Sequence, residues 1–148
     1  MLLAGAGFRL ALPGGGTVTL RPATNDDEEF LLDVYASTCA DELAQVEWGE
    51  GQKELFLRWQ AETQRREYEA RFPEAEYDVI LIDDRPAGRI WIGRDAEQIR
   101  LLDIALLPDF QNRGAGTLLL RRLIDESSRT NKPLRHMVFV LNNEAQRF

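Results

Sequence analysis

The chain has 148 residues, a formal net charge of −7, and 44% hydrophobic and 29% charged residues, the length and mix of one globular domain. One cysteine (Cys39) and one histidine (His136) exclude an internal disulfide and a Cys/His zinc site, which takes about four such ligands. No apolar run reaches the roughly 20 residues that span a bilayer, and the acidic balance speaks against nucleic acid, since phosphate binding needs a basic surface. The expectation is a soluble, cytoplasmic domain with no metal, membrane or nucleic-acid partner.

Residues 1–16 are apolar and glycine-rich, but Arg9 interrupts the run and no early basic residue precedes it, unlike a secretory signal. They read as an N-terminal extension or an extra edge strand ahead of a domain over 17–148. Residues 17–21 alternate between Gly16 and Pro22, which predicts a strand. Thr24 or Asn25 can cap a first helix whose opening turn carries Asp26, Asp27, Glu28 and Glu29, with Phe30, Leu31, Val34 and Tyr35 at helical spacing. A second helix is predicted over 53–71, with Leu55, Phe56, Trp59 and Thr63 on one side and a solvated row of Glu and Arg on the other. Residues 77–82 and 87–94 form a hairpin around the turn Asp83-Asp84-Arg85-Pro86, and 99–107 is a further strand stopped by Pro108. Leu118, Leu119, Leu120, Leu123 and Ile124 mark a helix starting near Gly114, and 134–141 reads as one more strand before a last helix opened by Asn142 or Asn143. This order of elements predicts an α/β fold with a mixed sheet and helices on its faces.

Charge is uneven. Residues 1–84 hold 18 acids and 7 bases, a net of −11, whereas 85–148 hold 7 acids and 11 bases, a net of +4. Two solvated acidic helices account for this; so does a second half that meets an anion and a first half that meets a cation.

The segment that carries chemistry runs from strand 99–107 through Pro108 into Gln111-Asn-Arg-Gly-Ala-Gly116 and a leucine-rich helix. Glycines let backbone amides approach an anion, and a helix N-terminus adds unpaired N–H groups and the positive end of a dipole. A dinucleotide fingerprint needs a small residue where Leu119 stands, and a P-loop needs Gly-Lys-Ser/Thr, which the chain lacks. The third pattern, Q-x-x-G-x-G after a strand ending in Pro, is matched in full.

In these residues the chain resembles the GNAT superfamily of acyl-CoA-dependent N-acetyltransferases over roughly 17–148, and most closely over 99–124. Asn142-Asn-Glu-Ala145 is similar to the N-x-x-A start of a later helix in that family. The resemblance implies a mostly antiparallel central sheet flanked by helices, with acetyl-CoA as co-substrate and a small-molecule or peptide amine as acceptor. It further implies that amides around Gln111, Asn112, Arg113, Gly114, Ala115, Gly116 and Thr117 hold the coenzyme diphosphate. Leu106 and Leu107 would pair with the pantetheine arm and offer an N–H to the thioester oxygen, and Asn142 or Asn143 would lie along its thiol end.

Acetyl transfer needs an amine that has lost a proton, hence a base. Asp103 and Glu42 are the candidates, with Glu47 beside Glu42. Asp103 is expected on the strand face opposite Ile104 and Leu106 unless a bulge intervenes. Trp48, in a loop among acids, is a possible acceptor-pocket wall.

The match breaks at the end. The family often carries N-x-x-A-x-x-x-Y, and that Tyr falls one position after Phe148, so the closing strands look absent and strand 134–141 would be an open edge. A homo-oligomer that covers this edge is expected. The enzyme reading therefore stands beside a second one, a non-catalytic acyl-CoA-binding module.

Overall fold

A computed structural model of the chain describes residues 9–136. The alternating segment forms β2 (Thr17–Pro22), preceded by a short edge strand β1 (Leu10–Ala11) that pairs antiparallel with it. A single 3-10 turn over Asn25–Asp27 leads into α1 (Glu28–Thr38). The entry is fixed by Asp27, whose carboxylate accepts the Thr24 N–H at 2.8 Å and both Arg21 Nη groups at 2.8 Å. The Arg21 hydrogen bonds hold that carboxyl down at about 2.

A five-residue helix not expected from the sequence, α2 (Ala40–Ala44), follows α1, and then comes α3 (Gln52–Arg71). The expected apolar side of α3 is corrected by the structure. Leu55 and Trp59 are 70% and 62% exposed, and the inward residues are Leu57 and Tyr68. Leu57, Ala61, Gln64 and Tyr68 form the row that meets the sheet, and Leu55 and Trp59 sit off that row. The solvated side is as expected, with pairs Arg58–Glu54, Arg66–Glu62 and Arg65–Glu69 four apart.

The hairpin is β3 (Glu76–Ile82) and β4 (Arg85–Arg94), turning on Asp83 and Asp84, both at positive φ (51° and 64°). It continues into β5 (Ile99–Leu106), crosses through α4 (Ala115–Thr130), and returns in β6 (Leu134–His136). The rest of the expected last strand, and Asn142 and Asn143, lie outside the described residues. Among the described residues six strands lie in chain order, antiparallel except for the parallel pair β5–β6 that α4 connects. This is the expected mixed, mostly antiparallel sheet with helices on its faces.

On one face Val18, Leu20, Ile80, Ile90, Ile99, Leu101, Ile104 and Leu106 pack with Leu119 and Leu123 of α4. Ile124, expected in the α4 stripe, is exposed, because the buried row is Gly116, Leu119, Leu123 and Glu126. Arg94 ties this helix down, reaching both Glu126 oxygens (2.7 and 3.1 Å) and Glu76 at 3.0 Å.

On the other face, under α1 and α3, Tyr68 packs edge-on against Trp91 and with Leu102. β5 carries one extra residue here: Trp91 pairs with Asp103 and Ile92 with Leu101, so Leu102 bulges. The Leu102 carbonyl accepts the Tyr68 hydroxyl at 3.2 Å. Among the described residues no helix is long and apolar enough to cross a membrane.

Candidate active site

The strand-to-helix connection joins left-handed residues to a helix start whose first N–H groups have no acceptor within the helix. Pro108–Phe110 forms one 3-10 turn, Gln111 is extended, and then Asn112 (φ 63°) and Gly114 (φ 93°) take the left-handed conformation. Left-handed residues inserted this way bring successive N–H groups to one side, a concavity suited to an anion. Asparagine is the non-glycine residue that tolerates this conformation best after glycine. Gly114 is required for a second reason: a Cβ there would lie 3.1 Å from the Pro13 ring.

α4 then begins with Leu118 N–H bonded to the Gly114 carbonyl, which leaves the N–H groups of Ala115, Gly116 and Thr117 without intrahelical acceptors. No acidic side chain occupies that first turn. Arg113 is half-buried in the loop and has no ion pair with any described acid. Arg85 lies over the Phe110 ring, 5.3 Å from its centre. The residues present fit a diphosphate: amides without acceptors in the helix, a helix end, and two arginines that have no ion pair among the described residues.

The end of β5 is held from two sides. Leu107 donates its N–H to Ala87 at 2.8 Å, and the Gln111 side chain donates to the Leu106 carbonyl at 2.9 Å. In an antiparallel pair donors alternate in direction, so the Leu106 N–H points away from β4. β4 comes close here because Gly88 has no side chain; a Cβ would lie 3.0 Å from Leu106 Cα.

Asp103 lies on the α1–α3 face, opposite the core residues Ile104 and Leu106, and is 5% exposed. Its Oδ2 is 2.6 Å from Arg89 Nη2 on β4, a contact of charges without hydrogen-bond alignment. Arg89 also meets Gln64 Oε1 at 3.3 Å and the Tyr77 hydroxyl at 3.5 Å, and lies under the Tyr35 ring. It lines a cleft of about 350 Å³ between α1, α3 and the sheet, with Leu31, Ala61 and Trp91.

Glu42 stands elsewhere, exposed on α2, and Glu47 is exposed in the loop that follows. Neither has an ion pair with a described base. Trp48 folds back, donating its Nε1–H to Leu43 at 3.0 Å and packing on Phe56. Cys39 is half-buried where α1 meets α2. Burial lowers the pKa of His136, at the described end of β6.

The structure thus brings residues 106, 107 and 111–117 together at one end of the sheet, buries Asp103 against Arg89 and leaves Glu42 exposed on α2. Sequence reading missed Arg89, although a lone arginine inside the apolar run of β4 was a signal for it. It also missed the approach of Pro13 to Gly114, for which no local signal exists.

The chain matches the model of the "Acetyltransferase (GNAT) family" over residues 37–148. No curated protein matches it. Solved structures share the fold. One is the PaiA N-acetyltransferase of Thermoplasma acidophilum in complex with coenzyme A, at 17% identity and TM-score 0.54, covering 85% of this chain and 82% of that one. Another is a ribosomal-protein-alanine N-acetyltransferase of Brucella melitensis biovar Abortus 2308, at 14% identity and TM-score 0.54, covering 87% and 85%. A possible acetyltransferase of Clostridium difficile 630 is 15% identical with TM-score 0.53, over 86% and 84%.

Proposed function

The chain belongs to the acetyltransferase (GNAT) family, and from that premise we propose that it transfers an acetyl group from acetyl-CoA to a primary amine by direct attack. The observation that carries this reading is the cradle: amides at residues 115–117 without acceptors in the helix, left-handed Asn112 and Gly114, and an Arg113 that has no ion pair among the described residues, all at one helix end. These groups hold the coenzyme diphosphate. The thioester supplies the acetyl group and the thiolate leaving group.

The Leu106 N–H, aimed away from β4, donates to the thioester oxygen and stabilises the charge that develops there as the amine attacks. Such a donor is worth about 3 kcal/mol of barrier. Leu107 and the Leu106 carbonyl, already bonded to Ala87 and Gln111, keep that N–H in place.

An alkyl ammonium titrates near 10.4 and must lose its proton before or during attack. Asp103 is committed to Arg89, and taking a proton would leave a buried guanidinium uncompensated. Glu42 is exposed and has no ion pair among the described residues. We therefore assign proton removal to Glu42, directly or through water, and the holding of Arg89 to Asp103. The acidic first half of the chain favours a cationic acceptor.

One observation favours the alternative of a non-catalytic acyl-CoA-binding module: the buried carboxylate on β5 is spent on an ion pair. Thiol release from acetyl-CoA with a panel of primary amines separates the two. Release that depends on an amine and falls at least tenfold in Glu42→Gln supports the enzyme. Binding of acetyl-CoA without release by any amine gives the module, and no binding removes both.

A further inference from the structure

We propose that the tip of the β1–β2 hairpin, residues 13–16, is a second wall of the coenzyme site and sets Arg113 onto the diphosphate. This rests on reading residues 111–117 as the coenzyme cradle. The hairpin is anchored, not hung on the surface. Leu12 is buried in the core, its N–H donates to Gly16 at 2.9 Å, and Gly15 donates back to Leu12 at 3.1 Å.

Two contacts bring the tip to the cradle across about 100 residues of sequence. The Pro13 ring abuts Gly114, the residue that caps α4; a Cβ on Gly114 would stand 3.1 Å from it. At Gly16, with φ 98°, a Cβ would stand 3.0 Å from an Asp83 carboxylate oxygen and 3.3 Å from Arg113 Nη2. The bare glycine therefore leaves the space in which Arg113 lies.

Asp83 is the acid best placed to capture Arg113, yet the two form no ion pair. Asp83 instead accepts the Thr17 N–H at 3.0 Å, just past the hairpin tip. The same hairpin thus occupies the acid and makes room for the base. Arg113 is left half-buried and without an ion pair among the described residues, beside amides that have no acceptor in the helix. That arrangement fits a phosphate oxygen, which would take a charge-assisted hydrogen bond from it.

The ligand part concerned lies in the phosphorylated nucleotide half of the co-substrate, so the contrast between acetyl-CoA and S-acetylpantetheine, which lacks that half, separates losses there from losses along the pantetheine arm. Affinities of both are measured by calorimetry for wild type, Gly16→Ala, Arg113→Ala and the double variant. Gly16→Ala is expected to weaken acetyl-CoA about tenfold, the size of one charge-assisted contact, and to leave S-acetylpantetheine unchanged. In the Arg113→Ala background the same substitution is expected to add nothing, which a merely structural role would not produce.

Pro13→Ser gives an independent reading should Gly16→Ala fail to fold, with a several-fold loss for acetyl-CoA alone. An unchanged ratio of the two affinities in a folded variant, or equal losses for both ligands, overturns the proposal. Failure of wild type to bind acetyl-CoA overturns the cradle itself and is a separate result.

Discussion

Arg89 is 3% exposed inside β4, and a guanidinium in that position is tolerated because Asp103 faces it from β5. The pair joins two strands under the α1–α3 face, and Tyr35, Gln64 and Tyr77 close around it. Such a pair contributes little against a well-packed apolar substitute, but losing one partner is costly. Asp103→Ala is expected to lose about 3–5 kcal/mol in urea denaturation, and the double change Arg89→Met/Asp103→Leu to recover most of it. A loss under about 1 kcal/mol in the single variant would contradict the assignment of Asp103 as the partner that makes Arg89 tolerable. A catalytic base without a structural role would show the opposite pattern, with activity lost and stability kept.

At the scale of elements, the strands were legible because their signals are local. Residues 17–21 alternate, Asp83-Asp84 supplies a turn, and Pro108 stops β5. The cradle was legible for the same reason: Gln111, Gly114 and Gly116 sit at fixed spacing between a strand and a helix. α3 was legible as a helix but not as to its face. Its inward row holds a glutamine and a tyrosine, whereas Leu55 and Trp59 point outward, so apolarity alone chose the wrong side. What decides the face is the sheet beneath, with Trp91 and the Leu102 bulge waiting for Tyr68. The bulge itself has no sequence mark, because Leu101 and Leu102 are alike and each is buried on a different face. The approach of the N-terminal hairpin to Gly114 is a long-range contact that no pattern within either segment contains.

At the scale of the whole molecule, two buried carboxyls give stability a pH dependence of opposite sign. Asp78 on β3 is 5% exposed, and burial, with Glu76 adding repulsion, raises its pKa from 3.8 to about 6. The folded state therefore holds its proton more tightly than the unfolded state. The penalty is absent below about 4 and grows to about 3 kcal/mol as pH rises through 6. Asp27, lowered to about 2 by its hydrogen bonds to the partly exposed Arg21, contributes stability above pH 4 that is lost as pH falls towards 2. Asp78→Asn should raise the unfolding midpoint at pH 8 and leave it nearly unchanged at pH 3. A variant that gains nothing at pH 8 would contradict the buried, unpaired placement of Asp78.

Acetyl transfer and the second wall both require one contact between the chain and its co-substrate. The most direct measurement is a crystal structure of the complex with acetyl-CoA. The prediction is a diphosphate whose oxygens lie about 3 Å from backbone N–H groups within residues 113–117, with the thioester oxygen facing the Leu106 N–H. Acetyl-CoA bound with its diphosphate away from the start of α4 would contradict it.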